Sequence, residues 1–182
     1  KTIAKSTFFK LPVFGWLLKN SGYLPSDTSG YFFNLMRERI ADMPDYLAGG
    51  GNLFIFPEGT RSRDGKLIPR KPRVSLLAQR SRAHILPVVY FGGEALRENL
   101  KHLRRTPFKI VVGNPFHINT QGKRSTSVLR QEITEEIMYQ LAALLPAGYR
   151  GVYADISEAT ENYLEFAEGV NSNLLTADTN AG

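Results

Sequence analysis

LFIFPEGTRSRDG, residues 53–65, is the stretch from which the predicted fold is built. Its first four residues are apolar and follow three glycines, a pattern typical of a short strand that enters a core. The residues after Pro57 are mostly charged, so the strand is predicted to deliver a loop that carries Glu58 and Arg61. Open α/β sheets bind ligands just beyond the carboxyl ends of their strands, which makes this junction a candidate site.

A purely structural interpretation of the same stretch is also open. Pro57 can end a strand, Gly59 can permit a turn, and the charged side chains can form a solvated surface. Strand-to-loop junctions of this composition are common, so the spacing alone does not establish a site. The order of the residues carries more information than their composition.

Three blocks of the sequence resemble the glycerolipid acyltransferase family, which includes the 1-acylglycerol-3-phosphate acyltransferases. Residues 56–62, FPEGTRS, resemble the third block of that family and are among its most specific motifs. Residues 12–16, PVFGW, lie upstream, and residues 85–88, ILPV, are similar to the fourth block. The resemblance covers roughly residues 5–118.

The alternation of predicted strands and helices indicates an α/β fold: a single domain with a mostly parallel sheet flanked by helices, as in glycerol-3-phosphate and lysophospholipid acyltransferases. We assign residues 1–150 to this domain and residues 151–182 to an acidic C-terminal extension that is partly flexible. Predicted helices begin at Pro12 and near Gly30 and restart at Pro44, and further helices span 71–81, 94–104 and 126–145. Predicted strands span 23–25, 53–56, 84–90 and 108–112.

Several finer expectations follow from the pattern. Residues 84–90 are continuously apolar, which favours a buried parallel strand, and Phe54 and Phe56 are expected in the core. The helix at 126–145 has an apolar face that begins at Leu129, whereas Glu136 is expected to point away from it. Residues 157–168 are predicted to form one more short helix, and residues 169–182 a mobile tail.

Charge is distributed unevenly along the 182 residues. The formal net charge is +6, but residues 151–182 contain no Lys or Arg and six acidic residues, so residues 1–150 carry 23 basic against 11 acidic side chains. A body of charge +12 suits an anionic partner, which could be a phosphate ester, an anionic membrane or nucleic acid. There is no cysteine, which excludes disulfides, thiolate metal sites and cysteine nucleophiles.

The first helix has apolar residues on nearly every face, and two interpretations stay open. In the first, it is a core helix whose Trp16 packs beneath the sheet. In the second, Phe8, Phe9, Phe14 and Trp16 approach a bilayer interface or an acyl chain, while Lys5, Lys10 and Lys19 face head groups. No apolar run is long enough to span a membrane, and no signal peptide is expected.

The family resemblance implies roles for particular residues. Arg61 would hold the acceptor phosphate through its planar fork of donors, and Glu58 would bind a glycerol hydroxyl or orient Arg61. Gly59 and Thr60 would line the same cradle, Arg63 and Lys66 would contribute positive field, and Pro87 would lie on the acyl-donor side. The sequence departs from the family at residues 26–28, where an arginine is usual, and at residues 70–73.

The catalytic pair of the family is a histidine followed five positions later by an aspartate. Here the residues five positions after His84, His102 and His117 are valine, proline and glycine, so none qualifies. The family order puts this block before residues 12–16. We therefore expect either that the pair lies upstream of Lys1 in a longer protein or that this member lacks it, and that residues 1–182 alone are inactive.

The resemblance implies transfer of a fatty acyl group from acyl-CoA or acyl carrier protein to a lysophospholipid, with 1-acylglycerol 3-phosphate as the expected acceptor. No cofactor, metal or nucleic acid is expected, and the protein is expected at the cytoplasmic face of a membrane. Two alternatives remain. The chain could be a non-catalytic phospholipid-binding member of the family, or a basic nucleic-acid-binding module, although no recognition motif accompanies its charge.

Overall fold

The computed structural model describes residues 3–26, 42–60, 62, 64–69 and 73–177. The chain divides into two compact units, of which the first comprises residues 1–56 and 79–83 and the second residues 57–78 and 84–182. The single domain that we predicted is therefore not confirmed. Several predicted features lie outside the described residues: the helix after Gly30, Arg61, Arg63, Arg70 and Lys71.

The first unit begins with a strand and two short helices. They are β1 (Ile3–Lys5), α1 (Ser6–Phe9) and α2 (Pro12–Asn20), followed by β2 (Leu24–Ser26) and α3 (Met43–Ala48). The predicted starts of α2 at Pro12 and of a helix around Pro44 are confirmed. Proline is favoured in the first helical turn because an N–H there would have no partner within the helix. β1 and β2 pair in parallel.

The apolar run before the charged loop does not form the buried strand that we predicted. Within residues 53–56 only Phe54 has bridge geometry, and it is isolated. Phe54 and Phe56 are each 49% exposed. Their rings contact each other edge to face, with centroids 5.0 Å apart. Residues two apart in extended chain share a side, so these two rings pack together instead of entering the core.

The second unit contains two antiparallel strand pairs. β3 (Val88–Phe91) pairs with β4 (Lys109–Val112), and β5 (Phe116–Ile118) pairs with β6 (Leu164–Phe166). An isolated antiparallel bridge joins Ile85 to Phe116. The strand predicted at 108–112 is confirmed, but the buried parallel strand predicted at 84–90 is wrong.

Exposure alternates along β3, because successive side chains of a strand point to opposite faces. Val89 is 7% exposed and Tyr90 is 64% exposed. The continuous apolar run therefore covers one buried face and one open face of an antiparallel pair. The mostly parallel sheet is not confirmed, since β1–β2 is the single parallel pair in the described part of the chain.

Three further helices complete the described elements: α4 (Arg73–Ser81), α5 (Leu96–Lys101) and α6 (Ser127–Ala143). Leu77 and Ala78 are buried on α4. α6 begins where the Thr126 hydroxyl accepts the N–H of Leu129 at 3.1 Å, a side-chain N-cap. The predicted helix at 126–145 and its apolar face are confirmed.

The core of the second unit lies on α6. Met138, Leu141 and Leu144 pack with Val89 and Tyr153 in one cluster. Ile133, Ile137 and Leu129 form another cluster with Phe116 and Tyr163. Glu136 is 1% exposed, so the prediction that it points away from the core is wrong.

The chain after α6 is not the helix and tail that we predicted. It consists of 3₁₀ turns at Ala147–Tyr149, Gly151–Tyr153, Ile156–Glu158 and Asn173–Thr176, with β6 between the last two. Asn173 is 1% exposed and Ala177 is 4% exposed. Residues 169–177 are therefore packed against the unit, and the mobile-tail prediction is wrong for them. The division of the chain at residue 150 stays a prediction.

None of the helices in the described ranges combines the length and the apolar content that a bilayer crossing requires.

Candidate functional site

The charged loop predicted from the sequence is closed by one of its own carboxylates. We call residues 57–69 the motif loop. Glu58, near its start, accepts the backbone N–H of Ile68, near its end, with a distance of 3.0 Å between Oε2 and N. Gly59 follows with φ of +66°, a left-handed conformation that glycine adopts without steric cost. The loop therefore leaves and returns at nearly the same point.

The environment of Glu58 disfavours its ionised form. The side chain is half-buried, and this burial raises the pKa of the carboxyl above its ordinary value, while the hydrogen bond from Ile68 acts in the opposite direction. A half-buried carboxyl of raised pKa is the kind of group found in binding and catalytic sites, although structural loop closures perturb pKa values too.

Asp64 organises the tip of the motif loop. Its Oδ1 accepts the Ser62 hydroxyl at 2.9 Å and the backbone N–H of Lys66 at 3.2 Å. These hydrogen bonds, that from the Ser62 hydroxyl first, lower the pKa of Asp64, so its carboxylate stays ionised at a lower pH than an ordinary aspartate. Asp64 was not among the predicted site residues. An aspartate whose side chain accepts the backbone N–H two residues further on is nevertheless a common turn former.

The motif loop also contacts chain that lies far from it in sequence. The N–H of Leu67 donates to the carbonyl oxygen of Tyr149 at 2.9 Å, and the N–H of Val152 donates to the carbonyl oxygen of Leu67 at 3.4 Å. The loop is thus paired with the 3₁₀ turns that follow α6. Sequence reasoning missed this contact because no local pattern marks it.

The other predicted site residues are distributed as follows. Gly59, Thr60 and Lys66 are exposed on the motif loop. Pro87 is buried at the start of β3, where its carbonyl accepts the N–H of Gly113 at 2.9 Å. The roles that we gave to these residues stay predictions, as do those of Arg61 and Arg63.

Two histidines of the described chain lie beside carboxylates: His102 Nε2 is 3.3 Å from Glu98 Oε1 on the exposed helix α5 and its C-cap, and His117 faces a carboxylate across a strand pair. His117 Nε2 is 3.3 Å from Glu165 Oε2, and the two residues are directly opposite each other on β5 and β6. The rings of His84 and His117 contact each other with centroids 5.6 Å apart. Both members of the His117–Glu165 pair are partly exposed, and cross-strand pairs of opposite charge are ordinary sheet contacts.

Comparison with known proteins agrees with the class of enzyme that the motif indicates. The family model described as Acyltransferase matches residues 1–91, which is half of the chain. The chain therefore belongs to the acyltransferase family. The match includes the motif-loop residues from Pro57 to Pro69.

Individual relatives carry a more particular name. The chain is 32% identical over 95 residues to a chloroplastic 1-acyl-sn-glycerol-3-phosphate acyltransferase of Brassica napus. The aligned segment covers 50% of this chain and 26% of that protein. It is 26% identical over 143 residues to a 1-acyl-sn-glycerol-3-phosphate acyltransferase of Chlamydomonas reinhardtii, covering 78% of this chain and 42% of that one. The chain thus spans less than half the length of these relatives.

A solved structure supports the fold. The crystal structure of the 1-acyl-sn-glycerophosphate (LPA) acyltransferase PlsC from Thermotoga maritima superposes with a TM-score of 0.50 at 24% identity, over 75% of this chain and 52% of that one. At this identity the likeness concerns the fold alone.

Proposed function

We propose that the complete protein transfers a fatty acyl group from a thioester to the free hydroxyl of a lysophospholipid, with 1-acylglycerol 3-phosphate as acceptor and phosphatidate as product. The observation that carries the proposal is the string FPEGTRS at residues 56–62 within the family-matched segment. The names of the relatives, both 1-acyl-sn-glycerol-3-phosphate acyltransferases, support the choice of acceptor.

The chemistry needs a base that residues 1–182 do not supply, since none of their histidines is followed at the required spacing by aspartate. We propose that a histidine–aspartate pair elsewhere in the complete protein removes the proton of the acceptor hydroxyl. The oxygen then attacks the thioester carbonyl, the new ester bond forms, and the carbon–sulfur bond breaks to release the thiol. Residues 1–182 alone would be inactive.

The motif loop would bind the acceptor. Arg61 stands between Glu58 and Ile68 in the sequence, and a guanidinium can contact two phosphate oxygens at once. Lys66 is exposed and would add positive field, as would Arg63. The Glu58 carboxylate accepts the N–H of Ile68, and because a carboxylate can accept several donors it would also bind a glycerol hydroxyl or Arg61.

The test of this proposal is Arg61→Ala in the complete protein. A charged hydrogen bond to phosphate contributes about 1.5–3 kcal/mol, so KM for lysophosphatidate should rise by roughly tenfold to a hundredfold. Lys66→Ala is the matched control, since it removes an exposed cation from the same loop and should change KM by less than about threefold. Unchanged acceptor affinity in Arg61→Ala would remove the assigned role.

We further propose that the protein works at the cytoplasmic face of an anionic membrane. α1 and α2 expose several apolar side chains, with Val13 at 81% and Trp16 at 67%, whereas Phe9 is 6% exposed and so does not face the bilayer as one of our interpretations expected. Trp16 is therefore not packed beneath a sheet, as one of our two interpretations required. Residues 1–26 contain four lysines and no acidic residue, which complements anionic head groups around an inserted aromatic ring.

Vesicle binding tests this surface. The double substitution Val13→Ser and Trp16→Ser should release the protein from phosphatidylcholine vesicles that contain phosphatidylglycerol, whereas Leu175→Ser, which alters a 72% exposed side chain of the other unit, should not. Salt-dependent binding to random oligonucleotides without vesicle binding would instead favour a nucleic-acid partner.

A non-catalytic phospholipid-binding role is the second candidate, favoured by the lack of the histidine–aspartate spacing in these residues. The complete protein would then bind lysophosphatidate without converting it.

The proposed enzyme needs no cofactor besides its co-substrate, acyl-CoA or acyl carrier protein. Assays with each thioester in turn distinguish the two donors.

A further inference from the structure

The segment Ala147–Tyr153, which we call the backing segment, lies directly against the motif loop. Its two 3₁₀ turns follow α6 and are separated by Arg150. Both backbone groups of Leu67 form hydrogen bonds with it. The N–H of Leu67 donates to the carbonyl oxygen of Tyr149, and the carbonyl oxygen of Leu67 accepts the N–H of Val152. The next residue, Ile68, donates its backbone N–H to the carboxylate of Glu58. The backing segment and Glu58 therefore hold adjacent residues at the same end of the motif loop.

The motif loop leaves no room for a side chain at Gly151. A Cβ at this position would lie 2.9 Å from the carbonyl carbon of Leu67 and 3.0 Å from its nitrogen, and it would overlap the carbonyl oxygen. These are backbone atoms, so no side-chain rotation could relieve the overlap. Gly151 also has φ of +56°, which a residue with a side chain adopts at a cost. Both features require glycine for Leu67 to stay where it is.

The backing segment is anchored independently of the motif loop. Arg150 is 7% exposed, and its guanidinium donates to the carbonyl oxygens of Leu145 at 3.1 Å and Ala177 at 2.8 Å. The Tyr149 ring packs on Phe91 with centroids 5.3 Å apart. A segment fixed to the end of α6, to β3 and to residue 177 will not follow a displaced loop. An added side chain at position 151 should therefore displace the loop.

We propose that Gly151 is a positioning residue for the acceptor-binding loop. Its missing side chain lets Leu67 lie on the backing segment, which places the N–H of Ile68 on the Glu58 carboxylate and thereby orients that carboxylate for the acceptor. This inference rests on the proposed function for its catalytic consequence, but its geometric content concerns Leu67 and Ile68 alone. It assigns a part in acceptor binding to residues outside the matched family segment.

The experiment compares Gly151→Ala with two matched glycine variants in the complete protein. Gly169→Ala alters a glycine of φ +75° with open space around its Cβ, so it reproduces the backbone strain without the overlap. Gly148→Ala alters an unhindered glycine of the backing segment itself. We expect KM for lysophosphatidate to rise at least tenfold in Gly151→Ala, with KM for the thioester changed less than twofold. Both controls should stay within twofold of the unchanged protein.

Amide hydrogen exchange gives a readout that needs no turnover. The amides of Leu67 and Ile68 should exchange at least tenfold faster in Gly151→Ala than in Gly169→Ala, while the amides of β3 and β4 exchange equally in both. Faster exchange with unchanged acceptor KM would overturn the positioning role and leave the proposed function intact. Lack of turnover in the unchanged protein would instead refute the proposed function. Amide hydrogen exchange would still test whether Gly151 holds Leu67 and Ile68 in place.

A variant that does not fold leaves the proposal testable in the unchanged protein. There the amides of Leu67 and Ile68 should be protected at least tenfold relative to an unstructured peptide, and lysophosphatidate should slow their exchange further. Unprotected amides at these two residues would overturn the proposal.

Discussion

The motif loop and the C-terminal segment 155–177 are both irregular chain in the second unit, but different groups hold them. The motif loop is held by two partly exposed carboxylates, Glu58 and Asp64, and by backbone pairing of Leu67. The C-terminal segment is held by side chains that α6 buries. Glu136 accepts the hydroxyl of Thr160 and the backbone N–H of residues 162 and 163, at 2.8–3.0 Å.

The burial of the bonding groups separates the two regions energetically. A buried acceptor that satisfies three donors is costly to remove, because each donor loses its partner where water does not replace it. The carboxylates of Glu58 and Asp64 in the motif loop lie close to solvent, so removing either one costs less stability. Their oxygens also remain accessible to a ligand. One region thus fixes the fold, and the other presents chemistry.

Removing the carboxylate of Glu136 should give the largest effect. In Glu136→Ala, two backbone N–H groups and one hydroxyl lose their acceptor, and we expect the free energy of unfolding to fall by about 3 kcal/mol or more. Urea denaturation measures this loss. Glu132→Ala is the matched control on the same helix, because Glu132 is exposed and accepts one hydroxyl, that of Tyr163. It should cost less than about 1 kcal/mol, and equal losses would contradict the comparison.

How far the sequence predicts each region follows from where the deciding partners lie. α2 and α6 were predictable because their start signals, Pro12 and Thr126, are next to the residues that they affect. The burial of Glu136 was not predictable, because its partners lie 24–27 residues further along the chain in a segment without periodicity. The acidic pattern of that segment favoured a helix, whereas Glu158, Glu161 and Glu165 accept hydrogen bonds and residues 164–166 form β6.

The candidate site shows the same division. The identities of Glu58 and Gly59 were recognisable because they form a contiguous motif, and the structure places them at the closed end of one loop. The need for glycine at position 151 was not recognisable, since it arises from a backbone carbonyl in the motif loop. The exposure of Phe54 and Phe56 was missed because an apolar run gives no sign of which neighbours will cover it.

Asn173 should give the second largest effect. Its side chain accepts the N–H of Asn114 at 2.6 Å, donates to the carbonyl oxygen of the same residue at 3.0 Å, and donates to Gln140 at 3.0 Å. Asn173→Ala should lower the free energy of unfolding by about 2 kcal/mol, because the backbone N–H and carbonyl oxygen of Asn114 lose their Asn173 partners. Asn171→Ala, an exposed asparagine of the same segment, should change it by less than about 0.5 kcal/mol.

The smallest effect is a difference in pH dependence within the motif loop. The pKa of Glu58 is raised, so its contribution to stability is fully present below its ordinary value of 4.5 and is lost as pH rises through the raised value. The pKa of Asp64 is lowered, so its contribution is present above 3.8 and is lost as pH falls through the lowered value. The two carboxylates of one loop should thus respond to pH in opposite directions.

Neutral isosteres separate the two responses. Glu58→Gln keeps an oxygen that can accept from Ile68 but removes the titration, so its stability relative to the unchanged protein should increase between pH 4.5 and neutrality, by less than about 1 kcal/mol because Glu58 is half exposed. Asp64→Asn should lose stability relative to the unchanged protein as pH rises from below the lowered pKa of Asp64 to its ordinary value of 3.8. Urea denaturation of all three proteins from below pH 3.8 to neutrality measures both trends. Parallel trends would mean that burial does not distinguish the start of the motif loop from its tip, and Glu58 would then be one more solvated charge.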